Sequence, residues 1–172
     1  SVYKFYAWLR ENLLKYSVHT AEEAHKTGIP MMRPLPMVFP EDKEAVYWED
    51  EYFYGSDLLV APVHQEGEKR RIYFPSGSWI NLLDFRKMVG GNRILQVDVP
   101  IDKIPVYIRE GACILSVMNG ELQLGQSMTY EKKNTVLMSR ALNETSGKRY
   151  ADGKKIEYII IGRGVTAGFR LW

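Results

Sequence analysis

The stretch Tyr52-Phe-Tyr-Gly-Ser-Asp-Leu-Leu-Val-Ala-Pro-Val63 constrains the fold most, because two textures of sequence meet in it. Everything before it reads as helix, one short strand and acidic loop. Everything after it reads as strands and turns. Leu58 to Val63 is a short apolar run with Pro62 near its end. Such a run suits a strand buried on both faces, with proline where a ladder donor can be spared. Gly55 and the Ser56-Asp57 pair supply turn chemistry just before it.

Upstream, the apolar spacing predicts one helix over Val2 to about Lys26. One line of apolar residues runs Val2, Tyr6, Leu9, Leu13, Tyr16, Ala24. A second runs Tyr3, Phe5, Trp8, Leu14, Val18. Ser1 suits the N-cap, and Gly28 with Pro30 the stop. Two stripes on one helix imply burial on more than one side. The first third of the chain holds too little to cover both, so the helix is expected to pack against elements outside this sequence, with burial against the β part of the chain as the alternative. The chain also opens at Ser1 with no initiating Met and no signal peptide, which suggests part of something longer.

Between helix and hinge, Ile29 to Phe39 carries three prolines, Pro30, Pro34 and Pro36, that exclude a central antiparallel strand over its whole length. Met31–Arg33 or Leu35–Phe39 remains available as a short strand. Arg33 sits among apolar residues and calls for a carboxylate partner, a structural ion pair rather than a substrate contact. Pro40 to Glu51 is acidic and suits a loop with a short helix. It lacks the spacing of a calcium loop and reads as a solvated face.

From Leu58 onward the period becomes two. Strands are expected at Leu58–Val63, Arg70–Phe74, Ser78–Asn81, Ile94–Val99, Val106–Arg109 and Cys113–Val117. Turn signals separate them at Glu66–Glu68, Pro75–Gly77, Val89–Asn92, Pro100–Pro105 and Glu110-Gly111. This pattern argues for a mainly β chain built as an antiparallel β-sandwich. Beyond Asn119-Gly120 the signal weakens, with strands expected at Glu121–Leu124, Thr135–Arg140 and Ile156–Ile161 and a turn at Asp152-Gly153. Gly162, Gly164 and Gly168 make no phosphate loop, since no helix pattern follows. Asn143-Glu-Thr145 is a glycosylation sequon, relevant only in a secretory setting.

Composition excludes several functions. A net charge of +2, with lysines and arginines dispersed, gives no nucleic-acid footprint. Lys69-Arg70-Arg71 reads as a solvated turn. No apolar stretch is long enough for a membrane-spanning helix. Cys113 is the single cysteine, expected as a buried inert thiol. His19 and His25 fall on different helix faces and His64 begins a loop, so no zinc motif arises and no metal or cofactor is expected. Asp84, Asp98 and Asp102 lie in turns or at strand ends, as surface carboxylates rather than an acid/base pair. Trp79 is expected to anchor the core, with sugar stacking on Trp79 or Tyr73 as the alternative.

Several motifs, in order, resemble glycoside hydrolase family 31, the α-glucosidases, α-xylosidases and their relatives. The likeness runs through Leu13–Tyr16, Ala21–His25, Gly28–Leu35, Phe39–Asp42, Tyr52–Val63, Ile72–Pro75, Gly77–Trp79, Gly90-Gly91 and Pro100–Ala112. It spans roughly residues 10 to 115 and thins beyond Leu115. Glu51 stands where the family usually has glutamine, and Asn81 where it usually has aspartate. The resemblance implies that residues 1–57 close a (β/α)8 barrel, 58–118 form a proximal C-terminal sandwich, and 119–172 begin a distal β domain or a divergent extension. It implies a retaining mechanism with two aspartates, their carboxyl groups roughly 5–5.5 Å apart. Both would lie upstream of this sequence, so no catalytic, cofactor-binding or metal-ligating residue is carried onto it.

Three functions follow. The chain is the C-terminal part of an α-glycosidase, inactive by itself, acting on α-linked oligosaccharides when whole. Alternatively it is a carbohydrate-binding accessory sandwich, or a free-standing β interaction protein. The first alone explains an apolar helix without a partner, and it predicts a homodimer through that helix. Neither nucleic acid nor membrane is expected as a partner.

Overall fold

A computed structural model describes residues 1–84, 88–112, 114–118, 124–127, 134–138, 145–151 and 154–160. The chain divides into two units. One is Ile29–Glu110; the other joins Ser1–Gly28 to the described residues from Gly111 onward.

Two antiparallel sheets make up the Ile29–Glu110 unit. Its strands are β1 (Met32–Pro34), β2 (Tyr52–Tyr54), β3 (Leu58–Val60), β4 (Lys69–Phe74), β5 (Ser78–Asn81), β6 (Met88–Gly90), β7 (Arg93–Asp98) and β8 (Val106–Arg109). Six of them form one sheet in the order β1-β2-β3-β8-β5-β6, and β4 pairs with β7 in the other. β1 is an outer strand, where proline is tolerated because one side of the strand has no ladder to satisfy. Leu35–Val38 is a helical turn, so Met31–Arg33 rather than Leu35–Phe39 was the better strand choice.

The hinge behaves as its sequence implies. Tyr54 and Leu58 are partners across a turn at Gly55, whose φ of 65° favours glycine. Leu58, Leu59 and Val60 are all buried, and the Ala61 N–H still donates to the Pro105 carbonyl before Pro62 ends the run. Both faces of β3 are thus out of water, as a continuous apolar run requires. The sheet crosses position 57/58, because β1 and β2 extend it on the N-terminal side. Tyr52–Tyr54, to which the sequence pattern assigned no element, forms β2. Val89–Asn92, expected as a turn, begins inside β6, and the turn falls on Gly91 and Asn92.

The core lies between the two sheets. Phe53, Leu59, Trp79 and Tyr107 from the large sheet meet Ile72 and Phe74 of β4, with Leu95 and Val97 of β7 packed against them. Phe74 and Tyr107 meet edge-on at 4.8 Å. Trp79 is fully buried, 5.7 Å from the Phe53 ring and 6.4 Å from Phe39, and its Nε1–H donates to the Pro75 carbonyl at 2.9 Å. Gly91 closes the turn beside it: its N–H donates to the Gly77 carbonyl at 2.7 Å.

In the other unit the expected single helix is two, α1 (Val2–Asn12) and α2 (Leu14–Thr27), broken at Leu13 with φ −89° and ψ 6°. The break follows tertiary bonds that apolar spacing does not encode. Buried Asn12 donates through Nδ2 to the Val117 carbonyl at 2.7 Å and accepts the Gly125 N–H at 2.8 Å. Ser1 takes the N-cap position without a side-chain bond; Gly28 caps α2 in the left-handed region, as expected. Leu9, Asn12, Tyr16 and Thr20 form the buried stripe, while Tyr3, Leu14 and Val18 of the second apolar line stay exposed. The helices pack on β9 (Ile114–Met118), so the buried stripe expected to need elements outside this sequence has a partner within it; β9 pairs with β10 (Asn134–Met138), and β11 (Thr145–Ala151) with β12 (Lys154–Ile160). β11 was not foreseen. Cys113, Asn119-Gly120, Asn143, Asp152-Gly153 and the glycines at 162, 164 and 168 lie outside the described residues.

The Gly90-Gly91 pair makes a sharp test. A Cβ on Gly91 would run into the Pro75 carbonyl oxygen, whereas on Gly90 it would meet only the flexible Arg93 guanidinium at 3.4 Å. Gly91→Ala should destabilise by about 1–3 kcal/mol, the range for forced overpacking, and Gly90→Ala by under about 0.5 kcal/mol. Urea unfolding of both variants measures the difference.

Candidate functional site

The Ile29–Glu110 unit buries charge as well as apolar surface, and its clustered ionisable groups are the place to look for chemistry. Period two decides which side chains enter. Arg70, Ile72 and Phe74 share one face of β4, opposite Val97, Leu95 and Arg93 of β7. Ile72 and Phe74 are core residues, so Arg70 points inward and is 6% exposed, while Lys69 and Arg71 stay in solvent. The basic triplet is therefore not a uniformly solvated turn.

Arg70 is satisfied on every nitrogen. Nε donates to the Pro62 carbonyl at 3.0 Å and Nη2 to the Asp50 carbonyl at 3.2 Å. Nη1 pairs with Asp50 Oδ2 at 2.9 Å, and Nη2 lies 3.7 Å from Glu51 Oε1. His64 Nε2 approaches the same Asp50 oxygen at 3.1 Å. Glu51 itself is 2% exposed, and its Oε1 accepts the Tyr73 N–H at 3.0 Å. That bond gives β4 a partner on the side away from β7. Burial pushes the Glu51 carboxyl up to about 8; the Tyr73 N–H and the Arg70 charge pull against the rise, and Asp50 adds to it.

The rest of the acidic segment is also partly structural, which corrects its reading as a solvated face. Asp42 Oδ2 accepts the Tyr73 hydroxyl at 2.6 Å, and Asp42 Oδ1 accepts the Glu44 N–H at 3.0 Å. Burial, then this bond to Asp42, raises the Tyr73 phenol. Trp48 stacks on Tyr73 at 5.8 Å and donates through Nε1 to Glu44 at 3.0 Å, with the Arg71 guanidinium 5.7 Å from its ring. On β8, the Arg109 guanidinium lies 4.9, 5.6 and 5.7 Å from the rings of Phe39, Phe53 and Trp79. Buried Arg33 donates through Nε to the Pro30 carbonyl at 2.9 Å.

The residues weighed from sequence are dispersed over the fold. Asp98 is exposed on β7 opposite Lys69, Asp84 follows β5, and Asp102 lies 3.9 Å from Lys103. His19 and His25 are on α2, His25 exposed. Among the described residues no group of three His, Cys, Asp or Glu could hold a metal ion. No described helix is long and apolar enough to cross a membrane. Trp79 is fully buried and Tyr73 is 5% exposed, so both are core residues with no open face for a sugar. Sequence reading missed the Asp50–Glu51–Arg70 cluster, although counting back in twos from Phe74 would have placed Arg70 inside.

What the cluster does is hold the segment before β2 against β4. Removing the guanidinium leaves the Pro62 and Asp50 carbonyls without their donor and partly exposed Asp50 without its ion pair. Arg70→Ala should cost about 1–3 kcal/mol, against under about 1 kcal/mol for Arg71→Ala, whose cation–π contact is at the surface. Paired urea titrations at one pH separate the two.

Residues 28–114 match the Glycosyl hydrolase family 31 C-terminal domain. The isomaltosyltransferase of Sporosarcina globispora is 35% identical over 121 residues, which is 70% of this chain and 11% of that protein. Alpha-glucosidase 2 of Bacillus thermoamyloliquefaciens is 32% identical over 114 residues, 66% of this chain and 14% of that protein. Among solved structures, the cycloalternan-forming enzyme from Listeria monocytogenes in complex with a pentasaccharide substrate aligns with a TM-score of 0.87 at 28% identity, covering 94% of this chain and 16% of that one. The chain thus spans between 11% and 16% of these three proteins. With half its length in the matched domain, the chain belongs to glycoside hydrolase family 31 and carries that family's C-terminal β domain.

Proposed function

We propose that this chain is the C-terminal portion of a retaining α-glycosidase, in which the β-sandwich braces a catalytic barrel and the catalytic aspartates lie upstream. One observation carries the reading: the matched domain, residues 28–114, coincides with the compact unit Ile29–Glu110. Relatives named as an alpha-glucosidase and an alpha-xylosidase support α-linked glucosides or xylosides as the substrate of the whole protein. We assign Ser1–Gly28 to the closing part of the barrel, shorter than the 1–57 taken from sequence. The shared sheet of β1, β2 and β3 supports this narrower limit. Residues 119–172 are assigned to the start of a distal β domain or to a divergent C-terminal extension.

The carbohydrate-binding alternative loses ground because the rings it needs, Trp79 and Tyr73, are in the core. The exposure of Tyr3 on α1 and of Leu14 and Val18, one turn apart on α2, supports self-association through the helices.

Three measurements test this. The chain alone should release no glucose or xylose from aryl α-glucosides or α-xylosides; turnover abolished by mutating one of its own carboxylates would overturn the assignment of catalysis upstream. It should migrate unretarded in gels cast with soluble α-glucan, whereas retardation would favour the binding-module reading. Light scattering should give a dimer that Tyr3→Glu with Val18→Glu converts to monomer; a wild-type monomer would refute self-association.

A further inference from the structure

Glu51 is the buried group whose surroundings fit its ionised form least. Its side chain is out of water, and among the described residues no hydrogen-bond partner reaches Oε2. The nearby cation is already committed. Arg70 Nη1 is 2.9 Å from Asp50 Oδ2, its Nε and Nη2 donate to backbone carbonyls, and Nη2 is 3.7 Å from Glu51 Oε1. One guanidinium therefore faces two carboxylates, and Asp50, partly exposed and approached by His64 as well, makes the closer contact. The remaining groups around Glu51 do not compensate a charge. They are the Tyr73 N–H on β4 and the Tyr107 phenol on β8, itself raised by burial, against a lowering hydrogen bond to Asn81, with Glu51 adding to the rise. An unpartnered buried anion costs far more than an unpartnered buried hydroxyl.

We propose that Glu51 is a proton-binding site of the core, entering the native state as a neutral acid with its proton on Oε2 while Oε1 accepts the Tyr73 N–H. The neutral acid keeps the bond that ties the segment before β2 to β4. Ionisation would leave a buried charge beside Asp50 that the shared guanidinium cannot balance, and the native state would lose stability although Oε1 still accepts the Tyr73 N–H. The unit then carries a proton-dependent contribution to its stability where the segment before β2 meets β4.

The sign follows from linkage. The folded carboxyl titrates at about 8 and the ordinary value is 4.5, so below pH 4.5 native and unfolded chains both hold the proton and its contribution is fully present. Between these values unfolding releases a proton, and stability falls as pH rises. Above about pH 8 the contribution is lost. The unfolding equilibrium should shift toward the unfolded chain by up to about tenfold per pH unit across the window.

The test compares wild type with Glu51→Gln in urea titrations from pH 5 to 8.5, each also in a His64→Asn background, because histidines titrate in the same range. The amide is neutral at every pH. Glu51→Gln should therefore flatten the slope, with its advantage over wild type growing toward alkaline pH whether or not His64 is present. Equal slopes in both proteins would overturn the proposal. Infrared spectra of wild type with carbon-13-labelled glutamate at pH 6 give a second readout that needs no variant. A protonated-carboxyl stretch that persists at pH 6 and disappears above pH 8.5 is expected; its absence at pH 6 would refute the assignment. Where Glu51→Gln does not fold, this spectrum decides.

Discussion

The burial of the Trp79 indole is the contact on which the Ile29–Glu110 unit turns. A tryptophan removes roughly 150–250 Å² from water, more than any other side chain offers. Here it also touches elements far apart in sequence: Phe39 after the helical turn, Phe53 on β2 and Arg109 on β8. Its single polar atom is satisfied locally by the Pro75 carbonyl, so full burial leaves no unmet donor. The turn carrying that carbonyl must in turn come close to Gly91, which explains why a residue without Cβ sits there. One large ring thereby sets the spacing of the sheets and the chemistry of the loop beside it.

Around this apolar centre lies a second layer that is polar and largely buried, with Asp50 at its partly exposed edge. Asp50, Glu51, Arg70 and Tyr73 link the chain before β2 to β4, a strand that has a ladder on one side only. Such groups gain little net energy when paired and lose much when one member is removed. Their contribution is specificity of arrangement: the arginine accepts one register of β4 against Pro62 and Asp50. A slip by one residue would put Arg71 inside and Arg70 in water.

Much of this was legible in the chain. The apolar run at Leu58, the turn glycines and the alternation through Arg70–Phe74, Ile94–Val99 and Val106–Arg109 carry the sandwich by themselves, because strand period and turn chemistry are local. The family followed from ordered motifs. What escaped depended on contacts between distant residues. Asn12 breaks the helix through partners more than a hundred residues away. Tyr52–Tyr54 is a strand because Met32–Pro34 and Leu58–Val60 flank it, not because three residues alone declare a period. Glu51 in place of the usual glutamine was visible as a departure. Its consequence needed Arg70 and Asp50 in space, since nothing local distinguishes a carboxylate that will be buried from its solvated neighbours.

The outer strand β1 has one more effect. It is three residues long, ends in Pro34, and runs directly into the helical turn Leu35–Val38. A foreign strand approaching that border would find a donor missing at one position and the backbone curling away at the next. The sheet is self-terminating on that side. Edge-to-edge pairing between copies is thereby disfavoured at this border of the six-stranded sheet.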